Sequence, residues 1–244
     1  DGIISNCYSI GMTGGYSQSR YIGGLVGEND GSMSNCFSMY QIISYQEVAN
    51  KNPVNYISGY SYVGGLVGIN YGSINNCYST AAVSGSSSSG GLVGHNSGTI
   101  SNCFSTGTAS GMSSVGGFVG SNLGNIINCY STGQVDGSHL NIGGLVGRNS
   151  GSISKCYSTG MTNGTSGSQW VGGLVGDNDS GGNISNCFAT GAVDVSVNGE
   201  YVGGLVGGNY NSSISNCYSM SPVSGSDYVG GLVGESSETS AINT

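Results

Sequence analysis

Eight cysteines are the residues of this 244-residue chain best equipped for chemistry: Cys7, Cys36, Cys77, Cys103, Cys129, Cys156, Cys187 and Cys217. Each is followed by Tyr or Phe, and all but Cys156, which follows Lys155, are preceded by Asn. A thiol repeated in one fixed context has three readings. It is a small buried hydrophobe, since free Cys is among the most buried residue types. It is half of a disulfide between neighbouring copies, such as Cys77 with Cys103 or Cys129 with Cys156, which the even count permits. Or it is a metal ligand, but zinc sites need Cys and His at short spacings, and one Cys per copy with only His95 and His139 in the chain supplies no such group. The buried ladder fits best, and the disulfide stays open.

The aromatic residue after each cysteine is the candidate binding surface: Tyr8, Phe37, Tyr78, Phe104, Tyr130, Tyr157, Phe188 and Tyr218. If Cys points inward, these rings point outward, where a row of them suits stacking on sugars or on a second rod. "DNDSGGN" opens like an oxygen-rich calcium loop through Asp177, Asp179 and Asn183, yet it lacks the closing bidentate Glu, so an acidic turn is the simpler reading. No pairing of carboxylates, Ser-His-Asp set or phosphate loop emerges, and no cofactor is implied. The expectation is a protein that is not an enzyme.

What positions these residues is a repeat. Gly-Gly pairs begin at Gly23, Gly64, Gly90, Gly116, Gly143, Gly172, Gly203 and Gly230, so pairs and cysteines alternate along the chain. From a pair to the next cysteine the step is 13 residues in the first five copies, then 15 and 14. From a cysteine to the next pair it runs 16, 28, 13, 13, 14, 16, 16 and 13, so this arc holds the insertions, including a long loop at 43–62. Added length of this kind belongs on a surface.

The composition agrees with a repeat rather than an ordinary domain. Gly makes up 48 residues, only 7% are charged, and Pro occurs twice. Gly and Ser disfavour helix interiors. A period of about 26 residues with short β-branched and aromatic runs predicts an all-β, right-handed parallel β-solenoid of about eight coils. Each coil is read as three short strands: "VGGLVG", "ISNCYS" and the stretch around the valine of "TGxV", with Gly and Asn at the corners for their tolerance of positive φ.

Ladders follow from the stacking. Three residues before the cysteines stand Ile4, Met33, Ile74, Ile100, Ile126, Ile153, Ile184 and Ile214. Six after them stand Thr13, Ile42, Val83, Ala109, Val135, Thr162, Val193 and Val223. Asn29, Asn70, Asn96, Asn122, Asn149, Asn178 and Asn209 occupy one corner, with Ser236 in the last copy, and the Asn residues before the cysteines occupy another. Stacked amides are expected to bond along the rod and to satisfy turn groups. Leu and Val are adjacent in every "GGLVG" but one, where Phe118 replaces Leu, and they face the core together only if the Gly pair bends the strand.

These "GGLVGxNxGxIxNCYSTGxV" units resemble the GLUG repeat, found in bacterial and archaeal cell-surface proteins, adhesin-like giants and non-catalytic parts of some IgA-specific metallopeptidases. The resemblance covers essentially the whole chain in eight in-phase copies, and the peptidase signature HExxH is absent. It implies an extracellular, surface-attached or fibrous role.

The remaining expectations concern partners. A formal charge of −8, with Arg20, Lys51, Arg148 and Lys155 as the cations, excludes a phosphate-neutralising surface, so no nucleic-acid partner is expected. No apolar run approaches a membrane span. The chain starts and stops part-way round a coil without an evident polar cap, so the expected partner is another copy, stacked head to tail or side by side, in a surface fibre, filament or adhesin stalk. The alternatives are a carbohydrate-binding module that holds surface glycans on the aromatic row and, third, a polysaccharide-active enzyme.

Overall fold

The computed structural model describes residues 2–11, 13–15, 18–39 and 56–243. Among these residues there is strand and turn but no helix. All the strand pairings between copies are parallel, and the copies stack into a β-solenoid of about eight turns, as the period predicts.

Each coil contributes to four sheets rather than three. In the coil around Cys103 they are Val93–Asn96 (the Val sheet), Thr99–Ser101 (the Ile sheet), Phe104–Ser105 (the aromatic sheet) and Ala109–Gly116 (the long sheet). The extra sheet arises because both expected long strands are broken at their centres. "ISNCYS" is split by its Asn, which adopts a left-handed φ near +55° in every described copy, with Lys155 taking the same conformation (φ 55°) and pointing to solvent. "VGGLVG" is split by a bend at the second Gly and the Leu.

That bend settles the Leu–Val question. Leu66, Val67, Leu92, Val93, Leu145 and Val146 all lie at 0% exposure, with Phe118 and Val119 in the same places, so no exposed Leu stripe exists. At the corner both backbone amides of a coil point at one carbonyl of the next: Leu66 and Val67 N–H donate to Leu92 O at 2.8 and 3.1 Å. With the Ile ladder and the cysteines, these residues form the main core. The Ile ladder gains a rung at Ile242, which pairs with Ile214.

The glycines have a different cause from the one expected. Positive φ occurs at only three described glycines, Gly11, Gly167 and Gly181. The repeating ones are small because neighbouring coils touch them: a Cβ on Gly117 would stand 2.2 Å from Gly144 O and 2.4 Å from Ser131 Oγ. Positive φ falls to Asn and to a second set of residues described below.

The long sheet takes up the length variation. Its strand curls over a smaller core of Val115, Val135, Ile142, Val171, Val193 and Val202. The one extra residue between Cys129 and Gly143 is absorbed by a register shift opposite Gly111–Ser113. In later coils the strand divides, as in Thr162–Gly164 and Gln169–Gly172. Of the loop expected at 43–62, residues 43–55 lie outside the described residues, as does Ile42, and Tyr56–Gly64 forms a strand of the long sheet.

Candidate functional site

The cysteines occupy the start of the aromatic sheet, just past the left-handed corner. Cys36 through Cys217 are 0–5% exposed, whereas Cys7, in the first coil, is exposed. All eight are free thiols, so the ladder is unbridged. From Cys77 to Cys217 each thiol has two partners. Its Sγ accepts the amide N–H of the preceding coil's cysteine, as in Cys77 N to Cys103 Sγ at 3.2 Å, and its S–H donates to the carbonyl two residues back, Ser101 O at 3.0 Å for Cys103. The same link recurs from Cys36 to Cys217. A cysteine therefore fills a small apolar slot and satisfies an amide that the corner would otherwise orphan. Burial among other thiols pushes the Cys129 thiol up, so it carries its proton and is a poor nucleophile.

The corner asparagines form a continuous buried amide chain. Each Nδ2 donates to the next Oδ1 at 2.7–2.8 Å, from Asn29 through Asn209, and the last donates to Ser236 Oγ at 3.4 Å. The second Nδ2 proton goes to a carbonyl of its own turn, Gly98 O for Asn96. The other asparagine column is exposed, and its service is backbone conformation, with occasional amide contacts such as Asn128 Nδ2 to Asn102 Oδ1 at 2.7 Å.

The aromatic row points outward, opposite the cysteines, but its faces are not free. Consecutive rings from Tyr8 to Tyr218 stack at centroid distances of 4.9–5.2 Å and within 8° of parallel. Only the end rings, Tyr8 and Tyr218, are more than half exposed, at 61% and 51%. The six between them show solvent their edges, and a sugar stacks on a ring face.

A second column escaped the sequence reading. Two residues before each Gly-Gly pair stand Tyr21, Tyr62, Ser88, Ser114, Asn141, Trp170, Tyr201 and Tyr228, all with φ between 51° and 58°. Left-handed backbone at a bulky side chain is costly, of order 1–3 kcal/mol. Tyr21 stacks on Tyr62 at 5.5 Å, and Trp170, Tyr201 and Tyr228 stack in turn at 5.7 and 4.9 Å. The signal was an aromatic residue before Val-Gly-Gly or Ile-Gly-Gly in five copies, which an alignment anchored on cysteine does not bring forward.

This column leans over the outward row of the Val sheet, where Arg148, Asp177, Gly208 and Glu235 are successive partners. Trp170 Nε1 donates to Tyr210 Oη at 2.9 Å, and Tyr210 in turn donates to Glu235. Burial pushes the Asp177 carboxyl up to about 7, with Asp179 adding to the rise and Arg148 opposing it. The loop read as a calcium echo is a protein-bonded turn. Asp179 binds Arg148, Nε to Oδ2 3.0 Å, and Ser150 Oγ at 2.6 Å, while Asn183 Oδ1 accepts from Ser213 Oγ at 3.2 Å. Among the described residues no group of three or more His, Cys, Asp or Glu is placed to hold a metal, and no helix is long and apolar enough to cross a membrane.

The chain matches the family model described as the GLUG motif in six consecutive copies, residues 59–84, 85–110, 112–136, 138–163, 167–196 and 198–219, together more than half its length. No curated protein matches it. Among solved structures it is similar to that of a candidate immunoglobulin A1 protease from Bacteroides ovatus, with a TM-score of 0.56 and 18% identity over 93% of this chain and 79% of the other. At that identity the likeness is one of fold.

Proposed function

Because the chain belongs to the family defined by the GLUG motif, we propose that it is a non-enzymatic structural protein, a rod segment of an extracellular surface fibre or adhesin stalk. The observation that carries this reading is the use of the repeated polar groups. Thiols and corner amides are spent on bonds between one coil and the next, and the rings on stacking with each other. A scaffold needs such bonds, and a reactive site needs groups left over.

The proposed partner is a second copy, because coils of this one kind stack on each other in register throughout the four sheets and a coil of another copy offers the same complementary edges. Nucleic acid is not a partner in this reading, because Arg20, Lys51, Arg148 and Lys155 are too few to line a phosphate track. A grip on surface glycans by the outward aromatic row finds free ring faces only at Tyr8 and Tyr218. Hydrolysis by the chain itself has no constellation behind it. The peptidase assignment of the Bacteroides ovatus protein is not extended to this chain, which lacks HExxH.

Immunogold labelling and protease shaving of intact source cells test the reading. Label on the outer surface and no turnover when the isolated chain meets a polysaccharide panel are expected. Label confined to the cell interior, or release of sugar, rejects it.

A further inference from the structure

From Tyr78 to Phe188 the aromatic row stands as a ridge of ring edges, its rings stacked at 4.9–5.1 Å. Two residues further on in each coil comes a threonine: Thr80, Thr106, Thr132, Thr159 and Thr190. This row keeps the axial register, with Thr106 N–H donating to Ser79 O and Thr159 N–H to Ser131 O, both at 3.0 Å. The residue between ring and threonine, Ser79, Ser105, Ser131, Ser158 or Ala189, is buried, so ring and threonine face outward on the same side. A short Thr beside a Tyr or Phe leaves a groove along the ridge, and the exposed Thr108, Gln134 and Met161 form its far wall.

The chain carries a net charge of −8, yet no residue of ridge, groove or far wall is charged. Two copies can therefore approach along this strip without bringing like charges together. The charges lie at its edges and differ in sign. Lys155, exposed and without an ion pair among the described residues, stands on the ridge side, two residues before Tyr157. Asp136 and Asp194, both exposed, stand beyond the far wall, and each pairs with Asn163 in the coil between them. That middle coil is the one that carries Lys155.

We propose that this strip pairs side by side with the same strip of a second copy, the two rods parallel and in register. A two-fold axis along the rods sets each ridge into the other's groove, whereas antiparallel rods would set ridge on ridge. The parallel arrangement also carries Lys155 of one copy to the far edge of the other, level with the coil between Asp136 and Asp194. Eight coils at about 4.8 Å, across about 16 Å of strand, give about 600 Å² in plan, and the flanks of interlocked ridges raise this toward the roughly 800 Å² per partner of a stable interface. The inference deepens the second-copy reading above by adding a long side to the coil-on-coil edges, and it can fail while that contact stands.

Small-angle scattering and sedimentation of the full chain test the pairing, together with a spin label on Cys7, the exposed thiol of the first coil. A dimer of doubled cross-section and unchanged length is expected, with its two labels within about 25 Å of each other, where antiparallel rods would hold them about 35 Å or more apart. Thr132→Arg, which fills the groove with charge, and Lys155→Asp should each weaken the dimer about tenfold or more. Adding Asp136→Lys and Asp194→Lys to Lys155→Asp should restore it. Leu123→Ser, exposed on the turn between the Val and Ile sheets, should leave it unchanged. Far-UV circular dichroism confirms that each variant keeps the rod, and if Thr132→Arg fails to fold, the charge reversal at Lys155 decides. A monomer at about 100 μM, labels about a rod's length apart, or a dimer indifferent to Thr132→Arg overturns the proposal. Growth in length alone also overturns it and leaves the coil-on-coil contact in place.

Discussion

The arc from each Gly-Gly pair to the next cysteine and the arc from that cysteine to the next pair belong to one coil but obey different rules. The first carries the Val and Ile sheets, the amide chain and the inward Leu, Val and Ile, and it changes length in only two of its complete copies. The second carries the long sheet, which bulges, divides and accepts insertions. Where a residue bonds axially to its own counterpart in the next coil, every coil constrains every other. Where the chain leaves that register, only its neighbours feel the change. Tolerance to mutation should therefore follow the arc rather than burial alone.

The sharpest test is Gly117→Ala, in the constant arc. A Cβ there meets the backbone of the next coil, which cannot swing away, and about 3 kcal/mol or more of stability should be lost in urea unfolding. Asn122→Ala follows, at about 2–3 kcal/mol, because Asn96 Nδ2 loses its axial acceptor and Asn149 Oδ1 its axial donor together. If either variant unfolds like the parent, axial bonding does not separate the arcs.

Asp177 lies where one copy of the constant arc has gained two residues, and it tests that exception. Its carboxyl holds a proton more tightly in the folded chain, at about 7 against an ordinary 3.8. Stability from this group is therefore full below about pH 4 and is lost as pH rises through 7. A decline of about 2 kcal/mol over that window, absent in Asp177→Asn, is expected from melting curves taken across pH. A flat profile in the parent would remove the burial argument.

Cys103→Ala should cost about 1–2 kcal/mol, since it removes the acceptor for Cys77 N–H and leaves a small cavity. In the native rod Cys7 alone should react with a thiol reagent, and eight thiols should react after denaturation; a count of none would mean bridged coils. At the small end, Met112→Ser, half-exposed in the variable arc, should stay within about 0.5 kcal/mol of the parent.

The constant arc was also the readable one. The Ile ladder, the inward cysteines and the Asn corner show in the sequence because identical side chains recur at identical steps, and stacking is the simplest cause of that. Ile242 was missed because its copy holds no described cysteine to anchor the count. The fourth sheet was missed because no residue type announces a bend between Gly and Leu, where both flanking strands share one apolar run. The glycines were misread because space and φ leave the same letter. The left-handed column escaped for a different reason: its residues, among them Ser114, Asn141 and Trp170, change type from coil to coil, so periodicity treats each as noise.

The axial direction of the bonds has a mechanical consequence. A load applied along the rod pulls directly on the links between coils, so the end coil peels first and its neighbour takes the full load afterwards. A coil of 26 residues, such as that between Asn70 and Asn96, adds about 4.8 Å to the folded rod but pays out up to about 90 Å of chain once peeled. Because successive coils are joined alike, the ruptures should come one at a time at similar force, and the rod would lengthen in even steps under load rather than snap.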